Sequence, residues 1–303
     1  AQARVAARES HRLESDFREA VAAKALEPWL QPIIALASGE PLGYEALARW
    51  PRDGGTLPPA SFLPVATESG LTGELDLLIA EKALAAMPLL AQPIPHREMR
   101  MSINLSGILL EDGDLRSRLL SLIDDSPRPP GWTLQVELLE DIFQDTSTSF
   151  AAFLQALVDR GVRIVIDDFG TGYSSLARLI SLPIQGVKVD RAFVSKITDG
   201  EDSPRTLLRT MLTMLKDLSL EITAEGVETQ FQRDWLISNG ADRAQGYLFS
   251  PPVPISEAIA SLQQLDYRPP AIPVGPRRIR PGRRNPMRPW LRLPFLPRRR
   301  STD

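Results

Sequence analysis

The chain has 303 residues, 43% hydrophobic and 24% charged, which is ordinary for a globular protein with a sizeable core. It holds no cysteine and only two histidines, His11 and His96, so disulfides, thiolate or histidine-rich zinc centres and cysteine nucleophiles are excluded. The net charge of −3 is divided: residues 267–303 hold 11 Arg, no Lys and one Asp, for +10, against −13 on the other 266 residues.

In chain order, residues 5–25 predict a helix, with Leu13, Phe17, Ala20 and Val21 at helical spacing. It reads equally as a cap on the main domain or, over residues 1–25, as a connector from a missing upstream domain, because Ala1 rather than Met opens the chain. From Trp29 onward, short apolar runs alternate with helical segments. The runs lie at 30–36, 42–47, 100–105, 133–138, 162–167, 186–189, 220–224 and 242–247. Helices are expected at 74–90, 114–124, 148–160, 173–181, 204–218, 229–239 and 254–264. That order predicts an α/β fold, a (β/α)8 barrel over 26–265; the alternative is an open doubly wound sheet. Only residues 37–41 separate the first two runs, too few for a crossover helix, so this pair should be antiparallel. Residues 266–303 are Pro- and Arg-rich without any period and predict a disordered basic tail. No apolar run reaches the ~18 residues of a membrane span, and no signal peptide opens the chain. A cytoplasmic location is expected.

Polar residues gather where the strands end. Glu45, Asn104, Glu137, Asp167 with Asp168, Lys188 with Asp190, Glu225 and Gln245 close or follow successive runs. Alternate strand residues share a face. Ser102 and Asn104 oppose Ile103, and Lys188 and Asp190 oppose Val187 and Val189. The apolar faces should pack on helices and the polar faces converge at the barrel mouth, where barrel enzymes carry their sites. Five carboxylates cannot share one mouth as bare anions. An oxygen-only donor set suits Mg²⁺ or Mn²⁺, two ions rather than one, bridged by Asp167. For Asp168 to join, the chain must turn between the two aspartates, a turn that Gly170 and Gly172 would permit. Such a site with Lys188 fits phosphodiester hydrolysis; enolisation on Mg²⁺ is the rival chemistry.

These residues fall into recognisable motifs: Gln31-Pro32, Glu45-Ala46-Leu47-Ala48-Arg49-Trp50, Asn104-Leu105-Ser106, Glu137-Leu138-Leu139-Glu140 and Asp167-Asp168-Phe169-Gly170-Thr171-Gly172-Tyr173-Ser174-Ser175. Lys188-Val189-Asp190, Glu225-Gly226-Val227-Glu228 and Gln245-Gly246-Tyr247 follow. In this order, from about residue 13 to 260, the series resembles the EAL family of cyclic di-GMP phosphodiesterases. The resemblance implies a (β/α)8, TIM-like barrel with an antiparallel first strand and hydrolysis of cyclic di-GMP to linear pGpG with two Mg²⁺ or Mn²⁺ ions per site. It assigns Glu45, Asn104, Glu137, Asp167, Asp168 and Glu225 to the metal shell. Lys188 matches the catalytic lysine that orients or activates water, with Gln245 near that water and Glu228 a supporting acid near Lys188. Glu225 counts among the catalytic residues too. Gln31, Leu47 and Arg49 match substrate contacts, Arg49 to phosphate, and Asp190 is grouped with them. Glu140 matches the acid that anchors the loop 169–175, which couples dimerisation to metal binding in the family. A homodimer and an upstream sensory or GGDEF domain are therefore expected. Leu139 stands where the family has Thr, so a hydroxyl beside the anchor is missing. The alternative function is a catalytically weak receptor that holds cyclic di-GMP without cutting it. The basic tail, with Trp290 and Phe295 among its arginines, is expected to adhere to anionic membrane surfaces; nucleic acid and the acidic body of the chain are rival partners.

Overall fold

A short turn decides how the sheet begins. Strand β1 (Glu27–Ala35) and strand β2 (Pro41–Arg52) run antiparallel, with Gln31 opposite Glu45. The structure, a computed structural model, describes residues 2–144, 147–172, 176–198 and 202–264. After a short β3 (Gly55–Leu57) the strands run parallel: β4 (Met99–Leu105), β5 (Trp132–Leu139), β6 (Arg163–Phe169), β7 (Gly186–Val189), β8 (Glu221–Ala224) and β9 (Arg243–Ala244). β2 pairs parallel with β4, and β9 pairs antiparallel with β1, so eight strands close into a ring. β3 and β10 (Val253–Pro254) pair with β2 and β1 outside that ring. The fold is the expected barrel with its first strand antiparallel to both neighbours.

The helices are α1 (Gln2–Ala22), α2 (Pro59–Glu68), α3 (Thr72–Ala91), α4 (Gly107–Glu111), α5 (Gly113–Asp125), α6 (Thr148–Asp159), α7 (Leu176–Ser181), α8 (Arg191–Val194), α9 (Asp202–Asp217), α10 (Gln230–Ser238) and α11 (Ile255–Gln264). Several starts are written in the sequence. Asp112 caps α5, Ser147 caps α6, and Thr229 and Gln232 form a reciprocal capping box on α10. α4 and α8, too short to show a helical period, were not evident from the sequence. The outward strand residues Ile103, Val136, Ile166, Val187 and Ile222 are buried together with Leu84, Leu154 and Leu212 of the helices. Each such side chain stabilises the fold by ~1.5–3 kcal/mol relative to exposure. α1 is seated through Phe17, fully buried, whose ring centroid lies 5.3 Å from Trp50 and 5.8 Å from Phe62.

β9 is shorter than its apolar run because the chain leaves the sheet at Gly246. That residue has φ +155°, and a Cβ there would lie 2.2 Å from the Val227 carbonyl oxygen. No described helix is long and apolar enough to cross a membrane. The basic tail and residues 173–175 of the loop after β6 lie outside the described residues.

Candidate active site

Inward-facing residues at the carboxyl ends of the parallel strands meet around one lysine. The Lys188 Nζ lies 3.0 Å from Glu45 Oε2, 2.7 Å from Glu137 Oε2, 3.2 Å from Asp167 Oδ1 and 2.7 Å from Glu225 Oε1. Lys188 is only 1% exposed and Glu137 fully buried, so the ion pairs of Lys188 with Glu137 and with buried Glu45 are shielded from water. Amides hold the carboxylates in place. Asn104 Nδ2 donates to Glu45 Oε1 at 2.8 Å, and Gln245 Nε2 donates to Glu45 Oε2 at 2.7 Å and Glu225 Oε1 at 3.0 Å. Gln135, on the same face of β5, donates to Ser102 Oγ at 2.9 Å and Glu137 Oε1 at 3.3 Å.

Asp168 reaches the cluster by a different device from the expected one. The register between β6 and β7 slips so that Ile166 pairs with Val187 and Phe169 with Val189. Asp167 and Asp168 thus occupy the space opposite Lys188 alone, a bulge of the kind that re-aims side chains beside active sites. The turn sits at Asp168 itself, which has φ +54°, rather than at the glycines that follow. Asp and Asn tolerate this left-handed conformation better than most residues.

The bulge creates two overlapping acid triads, Glu45–Glu137–Asp167 and Asp167–Asp168–Glu225, each with ligand oxygens within 4.8 Å of one another. Asp167 belongs to both. The donors are oxygens only, and the buried Oε1 of Gln245 has no hydrogen-bond partner among the described residues. That chemistry fits hard divalent cations.

Burial shapes the charges. It pushes Glu137 well above the usual carboxylate range, reinforced by neighbouring Glu45 and opposed by Lys188. It likewise raises Asp167, and lifts Glu225 to about 8 against the pull of Lys188. Asp168 is pushed up to about 6 by burial and by the charges of Asp167 and Asp190. Glu45 goes the other way: burial opposes its charge, but Lys188 and the hydrogen bonds from Gln245 and Asn104 hold it below its ordinary value. Burial alone would lower Lys188; Asp167, Glu137, Glu225 and Glu45 together raise it well above 10.5.

Beside the cluster opens a cleft of about 330 Å³. Gln31, Leu47, Arg49 and Asp190 all line it, as do Asp168, Glu225 and Gln245. The Arg49 guanidinium lies 5.5 Å from the Trp29 ring centroid, and its Nη1 donates to the Ala48 carbonyl at 2.8 Å. Asp190 accepts from Ala192 N–H at 2.9 Å and caps α8. Glu140 is buried, and its Oε2 accepts from Gly170 N–H at 2.7 Å and Gly172 N–H at 3.1 Å. Glu228 stands on the cleft rim, where its ion-pair partner is Arg191 at 4.0 Å rather than Lys188.

Two residues were given no role from the sequence. Tyr247 lines the cleft and is 71% exposed. Asp76 of α3 accepts the Ser106 N–H at 2.7 Å, tying the helix to the chain just beyond Asn104, and burial pushes it up to about 7. An acid inside the apolar stretch Leu75–Ile79 was the available signal.

The family model of the EAL domain matches residues 14–252. The probable cyclic di-GMP phosphodiesterase PdeB of Escherichia coli strain K12 is 36% identical over 236 residues, covering 77% of this chain and 44% of that protein. The bifunctional diguanylate cyclase/cyclic di-GMP phosphodiesterase MucR of Pseudomonas aeruginosa strain PAO1 is 30% identical over 257 residues, covering 84% of this chain and 37% of that protein. The chain thus spans less than half the length of either relative. Among solved structures, the PaMucR phosphodiesterase in complex with c-di-GMP superposes with a TM-score of 0.75 at 30% identity, covering 81% of this chain and 99% of that one.

Proposed function

The chain belongs to the EAL domain family, and from that premise we propose that it is a divalent-cation-dependent phosphodiesterase cutting cyclic di-GMP to linear pGpG. The observation that carries the reading is Lys188, a buried ammonium within 3.2 Å of four carboxylates, next to a cleft large enough to admit a phosphodiester. Gathering buried acids in excess of their counter-charge is costly, and a module that only held a nucleotide would have no need of it.

In this reading Glu45, Asn104, Glu137 and Asp167 hold one Mg²⁺ or Mn²⁺ ion and Asp167, Asp168 and Glu225 a second. The ions, when bound, supply Lewis-acid polarisation of the phosphodiester and a more acidic water. Lys188 adds fixed positive charge where negative charge grows and orients the attacking water. Gln245 fixes the carboxylates of Glu45 and Glu225. Arg49 meets a substrate phosphate, and Gln31, Leu47 and Asp190 shape the cleft around the rest. Glu228 acts from the rim. Glu140 holds the backbone of the loop that follows Asp168 and Phe169. A homodimer, a cytoplasmic setting, an upstream sensory or cyclase domain and a membrane-adhering tail belong to the same proposal.

The test is direct. Incubated with cyclic di-GMP and Mg²⁺ or Mn²⁺, the chain should release pGpG, resolved by chromatography, and EDTA should stop it. Tight binding of cyclic di-GMP with no pGpG under either ion would replace the enzyme by the receptor.

A further inference from the structure

One face of the β1–β2 ribbon carries part of the cleft. Glu27, Trp29 and Gln31 alternate along β1 and so share a face. Their partners across the ladder are Arg49, Leu47 and Glu45. Gln31, Leu47 and Arg49 line the cleft, and Glu45 belongs to the acid cluster. Trp29 stands in the middle of this set, directly opposite Leu47, yet it is not part of the cleft wall.

What Trp29 meets is Arg49. The two are diagonal neighbours on the ladder, within reach of an aromatic and a long side chain. The 5.5 Å from the guanidinium to the indole centroid is within cation–π range. The indole is held in turn, because its Nε1–H donates to Glu27 Oε1 at 3.0 Å. Apart from Nη1, which donates to the Ala48 carbonyl, the guanidinium makes no hydrogen bond and no ion pair among the described residues. Burial opposes its charge, and Tyr247 and Glu45 favour it from beyond ion-pair distance. A carboxylate partner would grip the in-plane N–H edge of the guanidinium and neutralise it. An aromatic face steadies the same group while leaving that edge open and the charge intact.

We propose that Trp29 is a positioning residue for substrate: pinned by Glu27, it holds the Arg49 guanidinium in the cleft wall with its N–H groups free for a phosphodiester before the ligand arrives. This rests on the reading in which Arg49 meets a substrate phosphate. An arginine side chain is long and flexible, and ordering it at the moment of binding weakens affinity. The indole does that ordering in advance. Arg49 meets the phosphate in ground state and transition state alike, so the benefit belongs to substrate binding rather than to the chemical step.

The experiment is a double-mutant cycle between Trp29 and Arg49, read as KM and kcat for cyclic di-GMP with Mn²⁺. Trp29→Leu should raise KM ~3–10-fold and leave kcat within ~2-fold, as for loss of a partly desolvated cation–π contact. Trp29→Phe, which keeps an aromatic face, and Glu27→Ala, which releases the indole edge, should each raise KM only ~2-fold. In an Arg49→Ala background, Trp29→Leu should change KM by less than ~2-fold further, because its partner is already gone. The proposal is overturned if the Trp29 and Arg49 effects multiply, if kcat falls as KM rises, or if Trp29→Phe does as much harm as Trp29→Leu. A parent chain that binds cyclic di-GMP without cutting it refutes the phosphodiesterase, and the same cycle is then read in Kd. A parent that does neither overturns both. Should Trp29→Leu fail to fold, the ligand-free ¹⁵N-tryptophan-labelled chain decides the contact. Of its five indole resonances, the one missing in Trp29→Phe should move in Arg49→Ala, and an unmoved resonance overturns the proposal.

Discussion

At one end of the barrel interior a single ammonium, Lys188, sits among four carboxylates; at the other a single carboxylate, Glu221, sits among three guanidiniums. The arrangements are opposite in sign and unequal in depth. Lys188 and its partners Glu45 and Glu137 are nearly sealed from water, whereas Glu221 remains 33% exposed and Arg100 21%. Water screens the charges of the exposed end, while the buried end must carry its surplus unscreened. The difference teaches that burial, more than the count of charges, determines how strongly each end needs a partner ion.

Changes at Lys188 should expose the buried end most severely. Lys188→Met should lower kcat by ~10²–10³-fold with little change in KM, as for loss of a charge that acts in the transition state. Equal losses in both would reduce Lys188 to a binding role and remove the asymmetry. Next, Asp167→Asn strikes both acid triads and Asp168→Asn only one. Cation affinity measured by calorimetry should fall at two sites in the first variant and at one in the second, by ~10–100-fold each. One affected site in both variants would break the shared-aspartate reading.

The exposed end should respond less. Glu221→Gln leaves three guanidiniums facing one another and should cost ~1–3 kcal/mol in urea unfolding, below the figure for a fully buried pair because solvent reaches the cluster. Its kcat should stay within ~2-fold of the parent, since the sites share no partner. A larger loss of stability than in Lys188→Met would reverse the ranking of the two ends.

A pH series separates them further. Without cations, Glu225 and Asp168 hold protons up to about 8 and about 6, against ordinary values of 4.5 and 3.8. Raised acids bind more protons folded than unfolded, so their contribution to stability is present at low pH and lost as pH climbs through the folded values. Glu45, held below 4.5, and Lys188, held above 10.5, change little across this window. Thermal scans in EDTA should show Tm falling between pH 5 and 8, and Mn²⁺ should restore more at pH 8 than at pH 6. A flat profile would mean that the buried end is not charge-frustrated. The smallest effect is expected at Leu139→Thr. Glu140 already accepts two loop amides and Leu139 is 47% exposed, so the Mg²⁺ dependence of activity should shift less than ~2-fold. A marked gain at low Mg²⁺ would show that the missing hydroxyl matters.

Much of the buried end was legible in advance because strand alternation is a local rule. Asn104, Glu137, Lys188 and Glu225 could be assigned to one face from their immediate neighbours alone. The same rule reaches Arg100, Arg163, Glu221 and Arg243, but these begin their strands, and only the closed ring brings the starts together. Glu228 lies three residues beyond Glu225, past the strand, where alternation no longer says which way a side chain faces. It meets Arg191 instead of Lys188. Asp76 was invisible for a related reason: its partner Ser106 lies 30 residues away on another element.

By itself the sequence determined the order of the eight ring strands and of the longer helices between them, the antiparallel opening pair and the composition of the acid cluster. Turn length, hydrophobic period and residue chemistry act over a few neighbouring residues. Tertiary structure alone decided that Asp168 turns on its own backbone at a bulge, which brings it beside the Asp167 that the sequence already marked as shared. It alone decided that three arginines converge on Glu221. Each of these depends on the register of one strand against the next, and register is settled by the whole ring closing at once.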